Sequence, residues 1–278
     1  MIEPVVDPTW VDANRGRTIL ADVRYYLDGR SGRAAYAGGH LPGAIFVDMD
    51  EVLAAHGRPE DGRHPLPEPA AFAERMGALG VGDDDVVVAY DDAGGVMAAR
   101  LVWMLRATGH DAALLDGGLQ GYAGELVTGE PDRPRATFTE RPWPADRLAD
   151  IDAATGAAAT GAATGAGAVV LDARQPERFR GDAEPIDPRP GHIPGARSLP
   201  CRDNVDADGR FLPADVLRER FAAVGVTDGG EVISYCGSGV TACHNLLALE
   251  RAGFAPGRLY PGSWSQYSHT DRPAATGE

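Results

Sequence analysis

Cysteine is scarce in this 278-residue chain, which has only Cys201, Cys236 and Cys243. So odd and sparse a set argues against a disulfide framework, and with no CxxC pair there is no zinc pattern and no expected metal. Positive charge is also in short supply, 26 Lys and Arg against 41 Asp and Glu, for a formal net charge of -15. That balance excludes a general nucleic-acid or anionic-membrane binder, because such a surface repels phosphate, although a local basic pocket remains allowed. No apolar run approaches a membrane span, and the opening Met-Ile-Glu-Pro-Val-Val-Asp-Pro lacks both a basic n-region and a continuous apolar h-region. The expectation is a soluble, cytoplasmic protein. Its length and its 44% hydrophobic residues suffice for two ordinary domains or one large one.

What is present is a repeat. In the first half, a short apolar strand is expected over Thr18–Asp22, followed by the turn Gly39-His-Leu-Pro-Gly-Ala44 and a strand from Ile45 to Val47. A helix follows over Pro69–Leu79, then a buried strand over Asp85–Tyr90, a glycine-containing loop, a helix through Leu101 and Trp103, and a strand at Ala113–Leu115. The second half runs in the same order. Val169–Arg174 is the first strand and Gly191-His-Ile-Pro-Gly-Ala196 the turn; Ala214–Val224 is a helix, Glu231–Tyr235 the buried strand and Val240–Ala252 the helix after it. The chain therefore reads as a duplicated α/β unit, each copy a parallel sheet with helices on both faces and ligands at the carboxyl ends of the strands. The expected division is 1–128, a linker at 129–167, and 168–278. Within the linker the Ala/Thr/Gly tract from Ala153 fits either a frayed helix or a loop, since each of its glycines costs a helix about 1 kcal/mol.

The two halves differ in one loop. Where the first has Tyr90-Asp91-Asp92-Ala93-Gly94-Gly95, the second has Tyr235-Cys236-Gly237-Ser238-Gly239-Val240-Thr241. Cys236 falls where a strand ends and a helix begins, and the glycines let the backbone N–H groups of Gly237, Ser238, Gly239, Val240 and Thr241 curl into an anion nest that favours a thiolate. A structural cysteine is the bland alternative, and it is the expected fate of Cys243, inside the helix, and of Cys201. A thiolate in such a ring suits attack on phosphorus or on a sulfane sulfur. The first needs an arginine at the far end of the loop, and Ala242 and its neighbours supply none. The second needs only the nest, with the donor's anionic group held by arginines from outside the loop. A sulfur carrier or redox-sensing module without turnover is the competing class.

The paired Gly-His-Leu/Ile-Pro-Gly-Ala turns, Cys-Gly-Ser-Gly-Val-Thr at 236–241 and Pro-Gly-Ser-Trp-Ser around Trp264 together resemble the two-domain rhodanese family over roughly the whole chain. The resemblance implies two tandem rhodanese-like domains, the first non-catalytic. It also implies a persulfide on Cys236, no cofactor, a small-molecule donor, and an acceptor such as cyanide or a thioredoxin-like dithiol protein. The loop is similar to that of 3-mercaptopyruvate sulfurtransferases, with thiosulfate the alternative donor. By the same resemblance Arg178 meets the donor carboxylate, Arg189 or Arg180 is the second cation, Ser238 polarises the donor or relays a proton, and His40 serves that relay. Read from its turn alone, His40, like His192, is a residue bonding local backbone. Gln266 stands where the family's closing signature usually has a glutamate. Asp22 and Asp172 are expected to tie down their turns, and Arg24 and Arg174 to pair with carboxylates across the fold.

Overall fold

Two parallel sheets organise the chain, and the computed structural model describes residues 1–164 and 167–277. Each sheet belongs to its own unit. The first unit comprises Met1–Ala55, Leu66–Trp143 and Val205–Phe211; the second comprises His56–Pro65, Pro144–Asn204 and Leu212–Glu278. Each is thus completed by a short segment from the opposite half of the sequence.

In the first unit β1 (Val5–Val6), β2 (Thr18–Asp22), β3 (Ile45–Phe46), β4 (Val86–Tyr90) and β5 (Ala112–Leu115) lie in the order β1-β5-β4-β2-β3, every pairing parallel. Helices α1 (Pro8–Ala13), α2 (Gly32–Gly38), α3 (Pro69–Ala78) and α4 (Ala99–Ala107) supply the crossovers. Strand β4 is Val-Val-Val-Ala-Tyr and buried throughout, the unbroken apolar run expected of a central parallel strand covered on both sides. The second unit holds β6 (Val169–Asp172), β7 (Arg197–Ser198), β8 (Val232–Tyr235) and β9 (Arg258–Leu259) in the order β7-β6-β8-β9, again all parallel. Its helices are α5 (Ile151–Thr164), α6 (Pro176–Arg180), α7 (Ala214–Ala223), α8 (Ala242–Arg251) and α9 (Ser263–Tyr267). Leu148 bridges Leu259 in parallel, taking beside β9 the place that β1 has beside β5. No helix among the described residues is long and apolar enough to cross a membrane.

The duplication extends to single bonds. Arg24 forks onto Asp22 and donates to the Gly39 carbonyl (2.8 Å); Arg174 forks onto Asp172 and donates to the Gly191 carbonyl (2.7 Å). Both aspartates also accept the arginine's own backbone N–H, so they do tie down their turns. The pairing is local, two residues apart, and corrects the expectation of partners across the fold; only Arg174 reaches further, to Glu184 at 3.2 Å. The strand tyrosines match as well: the Tyr90 hydroxyl accepts from Leu41 N–H and the Tyr235 hydroxyl from Ile193 N–H.

Residues 129–167, expected as a linker, divide between the units. Those up to Trp143 pack on the first unit: Phe138 stacks on His110, and the Trp143 indole donates to the Pro67 carbonyl at 2.8 Å. From Pro144 onward the chain belongs to the second unit, where the Ala/Thr/Gly tract is helical within α5 up to Thr164, Gly165 and Ala166 lying outside the described residues. Tertiary packing explains why helix wins over loop: Ala154 and Ala158 are buried against Val170 and Ile233, where larger side chains would hold the helix off the sheet. Gly156 is on the exposed side, and a methyl group there would meet nothing within 4 Å. Gly156→Ala should therefore stabilise the fold by about 0.5–1 kcal/mol, read as a rise in the thermal midpoint; an unchanged or lowered midpoint would refute the helix assignment.

Candidate active site

Strand β8 ends at Tyr235, α8 begins at Ala242, and the six residues between them form the loop that carries Cys236. The thiol is buried, and the Gly239 N–H points at its Sγ from 3.1 Å. Gly239 adopts φ +74°, and a Cβ there would lie 2.5 Å from the Pro261 carbonyl oxygen, so both conformation and space require glycine. The backbone of Cys236 is held by α9: its N–H donates to the Ser263 hydroxyl (3.1 Å), and its carbonyl accepts from Trp264 N–H (3.0 Å). Ser263 has φ +53°, the one non-glycine residue with positive φ among those described, and its hydroxyl also donates to the Tyr260 carbonyl. The strain of that conformation sits where it fixes the thiol-bearing residue.

Charged groups surround the loop. Arg178, from α6, lies beside Gly237: its Nη1 would be 3.4 Å from a Cβ at that position. Its Nε and Nη2 bind Glu184, and Nη2 also binds Asp187 at 3.0 Å. Arg63, from the His56–Pro65 segment, approaches the same point, with Nη2 3.3 Å from the Gly237 Cβ position and Nη1 2.8 Å from Asp187. Next to it, His64 Nδ1 is 2.7 Å from the Ser238 hydroxyl, and both residues are buried. The segment is pinned by Arg63 N–H to Ser265 Oγ (3.0 Å), by Gln266 Nε2 to the Glu60 carbonyl (2.7 Å), and by the packing of Gly62 on Gly262. All 26 basic residues of the chain are arginine, so every side-chain cation available to an anion here, apart from a protonated histidine, is a fork-shaped guanidinium.

The site thus brings together a thiol with a backbone N–H on it, guanidiniums outside the loop and a histidine–serine pair on it. The Rhodanese-like domain model matches residues 7–125 and again 157–270. The chain belongs to the rhodanese family. Among curated relatives, a probable 3-mercaptopyruvate sulfurtransferase of Pseudomonas aeruginosa is 45% identical over 94% of this chain and 93% of its own. A putative thiosulfate sulfurtransferase, SseB, of Mycobacterium tuberculosis is 40% identical over 93% of this chain and 90% of its own. Among solved structures, the 3-mercaptopyruvate sulfotransferase SseA from Escherichia coli superposes with a TM-score of 0.82 at 31% identity, covering 95% of this chain and 99% of that one.

Within this rhodanese framework the expected site residues separate. Cys236, Gly237, Ser238, Gly239, Val240 and Thr241 form one loop, with Arg178 beside it. Arg189, expected as the second cation, is committed elsewhere: its guanidinium donates to the carbonyls of Ser268, Arg272 and Tyr267 at 2.9–3.1 Å, stapling the C-terminal strap. Arg180 pairs with Asp182 on the surface. His40 is in the first unit, fully buried and stacked on Tyr36 with its Nδ1 donating to the Tyr36 carbonyl at 2.8 Å, so no surface remains for a donor to touch. His192 repeats this, stacked on Phe179 and bonded to its carbonyl. Arg63, His64 and Asp187 are site groups that sequence reasoning misses. A histidine flanked by arginine and proline in Gly62-Arg63-His64-Pro65 is the available signal, but its serine partner is 174 positions away.

In the first unit the equivalent loop is filled from within. The Asp91 carboxylate accepts the N–H groups of Ala93, Gly95, Met97 and Ala98 at 2.7–2.9 Å. Burial pushes its pKa up, and the four N–H donors offset only part of that. Asp91→Ala would leave four donors without an acceptor and should cost about 3 kcal/mol or more in chemical denaturation; a loss below about 1 kcal/mol would show that water replaces the carboxylate. The other thiols are inert by position: Cys243 donates to the Gly239 carbonyl, and burial pushes the Cys201 thiol up to about 12. Cys201 should therefore stay protonated and unlabelled by a small alkylating reagent at about pH 8 in the folded protein, and react only after denaturation, as read by peptide mass mapping.

Proposed function

We propose that the chain is a sulfurtransferase moving the thiol sulfur of 3-mercaptopyruvate to a thiophilic acceptor, by way of the sulfane sulfur of a persulfide on Cys236. The observation that carries this reading is the Gly239 N–H held 3.1 Å from the Cys236 sulfur at the mouth of α8, with Arg178 beside the loop. Such a nest stabilises first a thiolate and then the outer sulfur of a persulfide anion. In the first half-reaction Arg178 holds the donor carboxylate and the thiolate attacks the donor's thiol sulfur. The carbon–sulfur bond breaks with its electron pair left on carbon, as the enolate of pyruvate. Ser238, hydrogen-bonded to His64, donates to the donor's carbonyl oxygen where that charge develops, and the proton released from the donor thiol ends on the carbon. Pyruvate leaves. In the second half-reaction cyanide takes the outer sulfur and departs as thiocyanate, regenerating the thiolate. A thioredoxin-like dithiol protein would do the same work by becoming a disulfide as the sulfur leaves as hydrogen sulfide. A reducing, cytoplasmic setting suits this chemistry and the sparse cysteines.

Thiosulfate is the second donor to consider, on the strength of the 40% identity to the Mycobacterium tuberculosis protein called a putative thiosulfate sulfurtransferase. Steady-state thiocyanate formation with each donor, for the wild type and Cys236→Ser, decides. The expected result is a kcat/KM at least about tenfold higher with 3-mercaptopyruvate and no turnover in the variant. A preference for thiosulfate would transfer the reading to the second donor, and an active Cys236→Ser would remove the persulfide mechanism.

A further inference from the structure

Resting on the sulfurtransferase reading, we infer that Arg63 is a donor-binding residue that completes a two-arginine anion clamp with Arg178, and that Asp187 between them sets how much negative charge the donor can carry. Arg63 Nη1 and Arg178 Nη2 grip opposite oxygens of the Asp187 carboxylate, at 2.8 and 3.0 Å, which spaces the two guanidiniums and fixes their planes. Their other edges are unspent. Arg63 Nε is buried without a hydrogen-bond partner, and neither Arg63 Nη2 nor Arg178 Nη1 has a protein acceptor among the described residues. Those two Nη atoms stand 3.3 and 3.4 Å from the position a Cβ would take on Gly237, one residue from the thiol. Gly237 lies outside the left-handed region, so its backbone does not demand glycine; a side chain there would press on the ends of the two forks and push them a few tenths of an ångström away. A pair of guanidinium edges over such a gap matches the planar oxygens of a carboxylate, or two oxygens of a sulfonate.

Arg63 is preorganised for this role, since its own N–H is held by Ser265, Gly62 before it packs on Gly262, and His64 after it is tied to Ser238. The charges around the clamp also bear on the donor. Three guanidiniums, of Arg63, Arg174 and Arg178, face three carboxylates, of Asp172, Glu184 and Asp187, in one connected network. The network as a whole offers a donor directed N–H groups but no net positive charge, which suits a monocarboxylate better than a dianion.

Kinetics with both donors on the wild type, Arg63→Gln, Arg63→Lys and Asp187→Asn test this, with persulfide loading of Cys236 followed by intact mass. Arg63→Gln should raise KM for both donors about ten- to hundredfold while kcat changes less than about threefold, with Arg63→Lys in between. Asp187→Asn should lower KM for thiosulfate more than for 3-mercaptopyruvate. Arg63→Gln with both KM values within about twofold of wild type, or with kcat falling and KM unchanged, overturns the clamp, the latter outcome making Arg63 a support for its neighbour His64. Should Arg63→Gln not fold, Arg63→Lys carries the same test. Wild-type protein that gains no sulfur mass from either donor refutes the sulfurtransferase reading itself; wild type that loads while the variants load with the same donor dependence refutes only the clamp.

Discussion

A turn of backbone that gathers its N–H groups at the start of a helix must have something negative, or at least an acceptor, to point at. Both units of this protein build that turn after their central strand, and much of each unit serves to hold it. In the first, Asp91 answers the demand with its own side chain and four hydrogen bonds. In the second the aspartate is replaced by Cys236, whose single sulfur meets the Gly239 N–H. The difference between a scaffold and a candidate sulfur carrier is thus one side chain on a shared backbone device.

Much of the architecture was legible in the sequence because the central strands and their following helices are long enough to carry a pattern. Val86–Tyr90 is an unbroken apolar run and Val232–Tyr235 is broken only by the buried Ser234, and α3, α7 and α8 end within a residue or two of their expected limits. The rhodanese-like repeat made the second copy a check on the first. Of the edge strands only β3 was legible, after its turn; β1, β7 and β9 are two residues each, too short for any periodicity, and they are strands because a neighbour pairs with them.

The candidate site was legible where it is contiguous. Residues 236–241 announce themselves by glycine spacing and a cysteine after a strand. What surrounds them does not, since local spacing fails where the chain doubles back. Arg189, just before Pro-Gly-His, was the arginine the resemblance offered as partner to Arg178, yet the turn between them presents Asp187 to Arg178 and sends Arg189 to the C-terminal carbonyls. His40 was given a relay role by resemblance alone, whereas its turn read, like that of His192, as one whose histidine bonds local backbone; the structure agrees with the turn, with a stacked ring and one carbonyl in both copies.

The His56–Pro65 segment has a consequence for dissecting the molecule. Boundaries drawn from the repeat, or from the order of the sequence, would cut a tidy C-terminal half beginning near Pro144. Such a fragment would retain the thiol, its glycines and Arg178, and to a family model it would still look whole. It would lack the ten residues that bring Arg63 and His64 to the loop, among them the glycine that packs on Gly262. The second unit is discontinuous in sequence, so its autonomy as a fold and its completeness as a site are separate properties.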